Sequence, residues 1–394
     1  MKLLKDADIK GKNILLRVDF NVTVEEGKVV EDFRMRAELP TVNYLLDNGA
    51  NKIIFISHFG RPEKKHDPAF SLEPVSLHLA DMMGKDVEFI AGDVIESNSE
   101  IKDKINSSEK SLIFLDNLRF YDEEEKNDEF FAKNLANFAD VFVQDAFGVC
   151  HRKHASVVGV PKFIPSFAGL LIQKEVETLS YILNKPTRPL TFLIGGAKIS
   201  TKMPIVKKFM AIADNVCIGG ALANTALKAK GLTVGASVVE EEMIEAVRGL
   251  DIVDSRFHLP MDVVVSKNKD DAAPDSVHIS AAGASMEDEL ILDIGPDTQS
   301  MFGEVIHDSK TVVWNGPMGY IENKLFAKGT QAIAREMADA TAKGIFTVIG
   351  GGDTYLILEE LDLMDKISFV STGGGAMLDF LAEGGLPGIT ALEK

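Results

Sequence analysis

The sequence predicts an α/β protein built around parallel sheets. Short apolar runs recur along the 394 residues, and amphipathic stretches of helical length follow most of them. Runs of four to seven residues rich in Ile, Val and Phe are typical of strands buried on both faces, which belong to parallel sheets. Strands that alternate with helices favour right-handed crossovers and therefore an α/β fold.

Nine runs are predicted as strands, four in the first half of the chain and five in the second. They cover residues 13–18, 52–56, 111–115, 140–143, 190–194, 215–218, 311–314, 344–349 and 367–370. Between them, residues 71–83, 128–139 and 330–342 have the apolar periodicity and length of helices.

The length of the chain favours two or three domains. A longer amphipathic helix, at about 165–183, ends before Pro186 and Pro189, which stop it. The residues that follow the strands change in character across this helix. We therefore predict an N-terminal domain over 1–165, an interdomain helix over 166–184 and a C-terminal domain over 185–384.

Composition excludes several classes of protein. The formal net charge of −18 leaves no broad basic surface for nucleic acid or an anionic membrane. The two cysteines, Cys150 and Cys217, cannot form a disulfide framework. The first residues carry acids where a signal peptide would be apolar, and no run of 18 apolar residues occurs. We expect a cytoplasmic protein without nucleic-acid or membrane partners.

The strand ends indicate two different ligands, since ligands of open α/β sheets bind outside the carboxyl ends of the strands. In the first half, arginines follow the strands, and in the second half glycines do. Guanidinium groups match carboxylate and phosphate geometry, whereas Gly-rich turns let backbone N–H groups approach a phosphate. The first half is predicted to bind a small polyanion and the second a nucleotide. Together they indicate phosphoryl transfer.

Several motifs have a structural alternative. Asp353, after three glycines, suits Mg²⁺ or an N-cap equally well. Trp314 is compatible with a side chain that lines a nucleotide site and with a core residue at a strand end. A zinc site at His151 and His154 is disfavoured because neither a Cys pair nor a second His pair is near in sequence. The acidic run 122–125 and the loop 267–276 are interpreted as solvated surface.

The two standard nucleotide-binding fingerprints, G-x-x-x-x-G-K-[ST] and G-x-G-x-x-G, are absent. Instead, seven motifs occur in order: RVDFNV from Arg17, SHFGRP from Ser57, NLRF from Asn117, GGAK from Gly195, WNGP from Trp314, GGGDT from Gly350 and STGGGA from Ser371. With these motifs the chain resembles the phosphoglycerate kinase family over essentially its whole length. The departures from the family pattern are Thr23, Asp116, Cys150, Thr201, Tyr355 and Phe369, and none removes a charged site residue.

The resemblance implies two Rossmann-like, three-layer parallel-sheet domains, separated by a hinged cleft and joined by a long helix. It implies a monomer whose C-terminal tail, about 385–394, packs back on the N-terminal domain. It implies 3-phosphoglycerate or 1,3-bisphosphoglycerate as substrate of that domain, and ATP or ADP with Mg²⁺ on the other. By motif, the phosphoglycerate residues are Asp19, Asn21, Arg34, His58, Arg61, Arg119 and Arg152. The nucleotide residues are Lys198, Lys202, Asn315, Glu322, Gly351, Gly352, Asp353 and Thr354, with Asp353 as the metal ligand.

The implied chemistry agrees with the residue types. The acceptor is a carboxylate that is already ionised at pH 7, so neither a general base nor a covalent enzyme intermediate is needed. Arg34, Lys198, Gly373 and Gly374 are therefore assigned to the phosphoryl group in transfer. His58 is interpreted as a hydrogen-bond donor to a substrate anion rather than as a catalytic base.

Two other functions compete with this hypothesis. A dinucleotide-dependent dehydrogenase is disfavoured because G-x-G-x-x-G is missing and because the arginine cluster is too rich for one small acid. The other is a non-catalytic protein that binds nucleotides or sugar phosphates. Such a protein would tolerate loss of Arg34, Lys198 or Asp353, yet all three are present.

Overall fold

The computed structural model describes residues 1–270 and 273–393. The chain divides into two compact units. The first contains Met1–Leu179 and the chain from Glu383 onward, and the second contains Ser180–Ala382. No helix in the described ranges combines the length and the apolar composition that crossing a membrane requires.

The first unit is built on a six-stranded parallel sheet in the order β5-β6-β4-β1-β7-β8. Its strands, with a short β2–β3 hairpin, are β1 (Asn13–Arg17), β2 (Val24–Glu25), β3 (Lys28–Val29), β4 (Lys52–Ile56), β5 (Val87–Ile90), β6 (Leu112–Leu115), β7 (Val141–Gln144) and β8 (Ser166–Ala168). Its helices are α1 (Phe33–Asp47), α2 (Glu73–Met83), α3 (Asn98–Ser107), α4 (Asp122–Glu125), α5 (Glu129–Ala136) and α6 (Leu170–Asn184).

Both faces of this sheet are covered, which explains why its strands are apolar throughout rather than alternating. In β4, Ile53 and Phe55 pack into one core cluster, while Ile54 and Ile56 pack into another on the opposite face. All four side chains are fully buried. Successive strand side chains point to opposite faces, so helices must cover both sides of the sheet.

The second unit contains another six-stranded parallel sheet, in the order β12-β10-β9-β17-β18-β19. The strands of the unit are β9 (Leu190–Ile194), β10 (Asn215–Ile218), β11 (Thr233–Val234), β12 (Phe257–His258), β13 (Asp262–Ser266), β14 (His278–Ala281), β15 (Ala284–Ser285), β16 (Leu290–Ile294), β17 (Thr311–Asn315), β18 (Phe346–Gly350) and β19 (Phe369–Val370). The helices are α7 (Ile199–Ile212), α8 (Gly220–Ala229), α9 (Ile244–Arg248), α10 (Pro296–His307), α11 (Lys328–Ala342), α12 (Gly352–Glu360) and α13 (Gly374–Glu383). The predicted α/β class with two parallel sheets is confirmed.

Several elements were not predicted, and two of the differences concern the connecting helix and the architecture of the second unit. The long helix begins at Leu170 rather than near residue 165, because Ser166–Ala168 pairs with β7 as the edge strand β8. The second unit also contains an antiparallel sheet, in the order β14-β13-β16, which was not predicted. Its outer strand β14 is largely exposed, so its residues lack the continuous apolar pattern by which the other strands were found.

The C-terminal residues lie in the first unit. After α13 the chain forms a last short helix, α14 (Pro387–Thr390). The Gly388 amide donates to the Cys150 carbonyl at 2.9 Å, and the Lys2 amide donates to the Leu392 carbonyl at 3.0 Å. Leu392 itself is fully buried. Backbone hydrogen bonds and a buried leucine thus attach this segment to both the N-terminus and the loop after β7.

Asp145, directly after β7, gives the first unit a testable pH dependence. The side chain is fully buried and accepts a hydrogen bond from the Ile172 amide at 3.1 Å, near the start of α6. Burial raises the pKa of this carboxyl from 3.8 to about 7. The folded protein therefore holds a proton between about pH 4 and 7 that the unfolded chain releases, and this contribution to stability is lost as the pH rises through 7.

We expect Asp145→Asn to flatten the fall in the free energy of unfolding between pH 5 and pH 8, because the amide keeps an acceptor oxygen and carries no proton. The measurement is urea unfolding at a series of pH values. Asp103→Asn, at an exposed position of α3, is the control and should reproduce the wild-type slope. A wild-type slope in Asp145→Asn would contradict the prediction.

Candidate active site

Four neighbouring strands bring the predicted polyanion residues together in the first unit. The strands β6, β4, β1 and β7 lie side by side and parallel, so their carboxyl ends meet at one edge of the sheet. Each strand end is followed by polar residues, which is the position where open α/β sheets bind ligands.

Three of the predicted arginines line one cavity of about 540 Å³. Its lining consists of Arg61, Pro62, Arg119, Tyr121, Asp122, Glu125, Arg152 and His154. Arg119 is the best anchored of the three, since its Nη1 donates to the Gly60 carbonyl at 2.5 Å and its Nε lies 3.5 Å from Glu125 Oε1. Convergent guanidinium groups favour a multiply charged anion.

The other four predicted residues form a connected group beside this cavity. Asn21 Oδ1 accepts from the Gly60 amide at 2.8 Å, and Arg34 Nη1 donates to the Asn21 carbonyl at 2.9 Å. Asp19 lies 3.7 Å from both Arg34 Nη1 and His58 Nδ1. The structure therefore places all seven predicted residues near one sheet edge. Three of them line the cavity, and the remaining four are linked to one another and to Gly60.

His58 is neutral in this setting. The side chain is 4% exposed, and burial lowers the pKa of the ring well below 6.5, with further lowering from Arg17, Arg119, Arg152 and Arg34. A neutral imidazole can donate one hydrogen bond and accept another. The interpretation of His58 as a donor is compatible with this state.

A buried network beneath the site was not predicted. Glu124 belongs to the acidic run interpreted as solvated surface, and that interpretation is wrong for this residue, which is fully buried. Its carboxylate accepts from the Ser156 amide at 2.9 Å and from Ser156 Oγ at 2.6 Å. Ser156 Oγ in turn accepts from Nε of the fully buried Arg17 at 2.9 Å. Arg17 therefore belongs to this buried hydrogen-bond network, unlike the arginines that line the cavity.

In the second unit, the Gly-rich strand ends pack against one another with no room for side chains. A Cβ on Gly374 would lie 2.5 Å from the Gly351 Cα atom, and a Cβ on Gly195 would overlap the Pro317 carbonyl oxygen. Gly351 also has a φ of 114°, which residues with side chains rarely adopt. Glycine is required here by close backbone approach and, at Gly351, by conformation.

Polar side chains hold these turns together. Lys202 Nζ donates to the Gly195 carbonyl at 2.7 Å and to Asn315 Oδ1 at 3.2 Å. Thr354 is fully buried, and its Oγ1 accepts from the Gly316 amide at 3.1 Å. Lys202, Asn315 and Thr354 therefore join the ends of β9, β17 and β18. The structure assigns Thr354 a structural role in shaping the turns.

A cavity of about 550 Å³ begins at these turns. Its lining includes Gly196, Ala197, Gly220 and Asp353 at the glycine-rich end, together with Glu322. The remaining wall is largely apolar and comes from α8, the antiparallel sheet and the segment after β17: Ala221, Ala223, Asn224, Leu227, Ser237, Val238, Pro260, Val263, Leu290, Ile291, Leu292, Asp293, Ile294, Pro317, Met318, Gly319 and Tyr320. An apolar cavity with a few polar groups is typical of a small-molecule site.

Most of this wall was missed by sequence reasoning. The loop 267–276 was interpreted as solvated surface, but Lys267, Asn268, Lys269 and Asp270 line the cavity, although they are exposed. Residues 271 and 272 lie outside the described part of the chain. Tyr320 Oη donates to Asp270 Oδ1 at 2.9 Å, which ties this loop to the segment after β17. A signal was available in the antiparallel strand β16, since its residues are mostly apolar and Gly295 and Pro296 follow it at the start of α10.

The structure decides between the alternative locations of some predicted residues and gives the surroundings of others. Trp314 is fully buried and its Nε1 donates to the Gly316 carbonyl at 2.8 Å, so it belongs to the core. Asp353 is in the first turn of α12, whose N-cap position is occupied by Gly351, so Asp353 is not the N-cap. Lys198 precedes α7 and is exposed. The Gly373 amide donates to Ser371 Oγ at 3.3 Å, and Gly374 begins α13.

A divalent cation would find a limited set of protein ligands here. Within the described residues, no group of three or more His, Cys, Asp or Glu side chains could hold a metal ion. The exposed Asp353 carboxylate lies at the glycine-rich end of the cavity. One carboxylate completed by ligand phosphates and water is a donor set that suits Mg²⁺. The residues present therefore fit a metal that arrives with a phosphate ligand.

Comparison with known proteins identifies the family. The family model described as phosphoglycerate kinase matches residues 4–384. The chain belongs to the phosphoglycerate kinase family. The phosphoglycerate kinase of Finegoldia magna is 42% identical over 397 residues, covering 100% of this chain and 99% of that protein. That of Pelotomaculum thermopropionicum is 43% identical over 397 residues, covering 99% of this chain and 98% of that protein.

Solved phosphoglycerate kinase structures have the same fold. The structure of phosphoglycerate kinase from Coxiella burnetii superposes with a TM-score of 0.84 at 33% identity, covering 100% of this chain and 99% of that one. The enzyme from Pyrococcus horikoshii gives a TM-score of 0.86 at 28% identity, covering 100% and 98%. The predicted resemblance to phosphoglycerate kinase is thus confirmed, and the chain is a kinase of this family.

Proposed function

We propose that this protein catalyses reversible, Mg²⁺-dependent phosphoryl transfer between 1,3-bisphosphoglycerate and ADP, giving 3-phosphoglycerate and ATP. The observation that carries the proposal is the presence of two anion sites of different chemistry in a phosphoglycerate kinase chain. An arginine-lined cavity lies in the first unit, and a glycine-rich, otherwise apolar cavity lies in the second. This reaction places the protein in glycolysis and gluconeogenesis.

The first unit is proposed to bind the phosphoglycerate. Arg61, Arg119 and Arg152 present their guanidinium groups to one cavity, where bidentate hydrogen bonds can hold a phosphate or a carboxylate. Asp19, Asn21, Arg34 and His58 complete the site. Because Asp122 and Glu125 also line the cavity, their charges offset part of the arginine charge.

The second unit is proposed to bind the nucleotide. The apolar wall from α8 and the antiparallel sheet would contact the base, and Glu322 would accept hydrogen bonds from the ribose hydroxyls. The phosphates would lie toward Gly351, Gly352 and the start of α12, where free amides and the helix dipole favour negative charge. Lys198, Lys202 and Asn315 would contact the phosphates, with Thr354 shaping the turn.

The transfer itself needs positioning and charge neutralisation rather than proton transfer, since the acceptor carboxylate is already ionised. Arg34 and Lys198 would each donate to the phosphoryl group. The Gly374 amide at the start of α13 would supply a further donor, and so would the Gly373 amide in exchange for its 3.3 Å hydrogen bond to Ser371 Oγ. Asp353 would hold Mg²⁺, which neutralises charge on the nucleotide phosphates when bound.

The two ligands bind to different units, so we propose that the units close about a hinge when both are present. Small-angle scattering of the full chain is the measurement. The radius of gyration should fall with 3-phosphoglycerate and a non-hydrolysable ATP analogue together, but not with either alone. No change with both ligands would count against closure.

The protein is proposed to be a monomeric, cytoplasmic enzyme. The same scattering data should therefore give the mass of a monomer.

A coupled assay with 3-phosphoglycerate and ATP tests the function. The reaction should be abolished by chelation of divalent cations and restored by added Mg²⁺. The alternative is a non-catalytic protein that binds nucleotides or sugar phosphates, and it would give no product with either ATP or GTP.

Glu322 lies exposed at the rim of the cavity. Replacing it by glutamine should raise the KM for ATP and leave the KM for 3-phosphoglycerate unchanged.

Lys202 gives the nucleotide site a pH dependence. Burial lowers the pKa of this ammonium from 10.5 to about 8, while Asp353 acts in the opposite direction. Below pH 8 the side chain is charged and can bind phosphate, and above pH 8 it is neutral in the free enzyme. We expect the KM for ATP to rise between pH 7.5 and pH 9.5, approaching about tenfold per pH unit at the upper end.

Lys202→Arg is the test variant for this effect, because a guanidinium stays charged throughout this range. Its KM for ATP should vary less with pH than that of the wild type, whatever its value at neutral pH. Lys207→Arg, at an exposed position on the same helix, is the control. An ATP KM that is independent of pH in the wild type would contradict the assignment.

A further inference from the structure

Among the described residues, the imidazole ring of His58 has one hydrogen-bond partner, Arg17, and that partner determines the position of the ring proton. Arg17 Nη2 lies 3.2 Å from His58 Nδ1, within hydrogen-bond distance. A guanidinium group has five N–H donors and no acceptor, and it stays protonated in proteins. Nδ1 must therefore be the acceptor. In a neutral imidazole whose Nδ1 accepts, the proton is on Nε2.

Arg17 is held so that it cannot turn away from the histidine. It is fully buried at the end of β1, and its Nε donates to Ser156 Oγ at 2.9 Å. Its Nη1 donates to the Val18 carbonyl. Ser156 is held in turn by Glu124, which accepts from both the amide and the hydroxyl. All of these side chains are fully buried, so the orientation of the guanidinium is set by packing as well as by hydrogen bonds.

The nearest acid does not compete for this position. Asp19 Oδ1 lies 3.7 Å from His58 Nδ1, beyond normal hydrogen-bond length, and is buried without a hydrogen-bond partner among the described residues. Asp19 Oδ2 lies 3.7 Å from Arg34 Nη1. The charged groups that act on His58 from the packed elements are Arg17, Arg34, Arg119, Arg152 and Asp19. Four cations against one carboxylate disfavour a second proton on the ring.

We propose that Arg17 is a positioning residue, which holds His58 as the neutral Nε2–H tautomer so that Nε2 presents a fixed donor to the substrate anion. In the described part of the chain no hydrogen bond to Nε2 is found, so this donor is available. The proposal rests on the proposed function for the identity of the anion, but not for the state of the ring. It assigns Arg17 a task distinct from that of the arginines that line the cavity.

Nitrogen-15 NMR of the histidine side chains in the full-length protein tests the state of the ring directly. A His58→Gln spectrum assigns the resonance. Between pH 5.5 and pH 8, His58 should show a protonated Nε2 and an unprotonated Nδ1, with no titration. A protonated Nδ1, or a ring that gains a second proton near pH 6.5, would overturn the proposal. This measurement needs neither substrate nor activity.

Two conservative variants test the donor. The side-chain amide of glutamine reaches the position of Nε2, whereas that of asparagine reaches only the position of Nδ1. In calorimetric titration with 3-phosphoglycerate, His58→Gln should keep most of the affinity and His58→Asn should lose about tenfold or more. The reverse order would overturn the proposal. Failure of the wild type to bind 3-phosphoglycerate would refute the proposed function, while the spectra would still decide the state of the ring.

Arg17→Met removes the donor while keeping much of the buried volume. In this variant His58 should begin to titrate and to populate both tautomers, so that the 3-phosphoglycerate affinity becomes pH-dependent relative to the wild type. A His58 resonance unchanged from the wild type would show that Arg17 does not set the tautomer. If Arg17→Met does not fold, the wild-type spectrum and the glutamine–asparagine pair still decide the proposal.

Discussion

Replacing Arg34 by alanine should lower kcat by about a hundredfold, since loss of one preorganised donor to a transferring group typically costs ~3 kcal/mol of barrier. The side chain is 19% exposed and is oriented by the Asn21 carbonyl, to which Nη1 donates at 2.9 Å. The side chain is therefore already ordered, so the proposed contact with the phosphoryl group would cost little conformational entropy.

The same helix provides a matched control. Arg36 is two residues further along α1, is 54% exposed and pairs with Asp32 at 2.9 Å. An exposed ion pair of this kind contributes little to stability, so Arg36→Ala should retain near-normal kcat. Steady-state kinetics in both reaction directions, with thermal unfolding of each variant, are the measurements. An Arg34→Ala enzyme that is folded and turns over within threefold of the wild type would refute the catalytic role.

Adding one methyl group at Gly374 should be as damaging as removing that arginine. The new Cβ would lie 2.5 Å from Gly351 Cα and 2.7 Å from Gly351 N, and both of these are backbone atoms. The start of α13 and the turn before α12 would have to separate, which displaces the donors proposed to contact the phosphoryl group. Misplacement of such groups by an ångström can cost about a hundredfold in rate.

Gly375→Ala is the control, because a Cβ at the next position of α13 meets nothing within 4 Å. Alanine is also a better helix former than glycine by about 1 kcal/mol, so this variant should keep full activity and gain slightly in stability. We expect Gly374→Ala to lose at least about a hundredfold in kcat/KM for ATP. Equal activity of the two variants would show that the close approach of the glycine turns is not required.

Much of the fold could be predicted because its signals are local. A strand such as Lys52–Ile56 is buried on both faces, so its sequence is apolar at nearly every position and can be recognised without knowledge of its neighbours. The same holds for the position of the two sites. Since parallel strands share one carboxyl edge, the residues directly after each strand located both the arginine-rich and the glycine-rich groups before any contact was known.

The features that were not predicted depend on contacts between residues that are far apart in the sequence. Nothing in the run Asp122–Glu125 distinguishes Glu124 from its neighbours, yet it alone of the four is buried, against Ser156 and Arg17. Arg17 and Arg119 look alike in sequence as strand-end arginines. One is fully buried beneath the site and the other lines the cavity.

The sequence by itself determined the α/β class, the kinase family and the strand ends where the arginine-rich and glycine-rich groups lie, because apolar periodicity and strand-end residues are properties of short segments. The tertiary structure alone decided the antiparallel wall of the cavity in the second unit, the contact of Gly374 with Gly351 and the pairing of Arg17 with His58. Each of these joins segments more than 20 residues apart, so its energy comes from burial and packing that no single segment encodes.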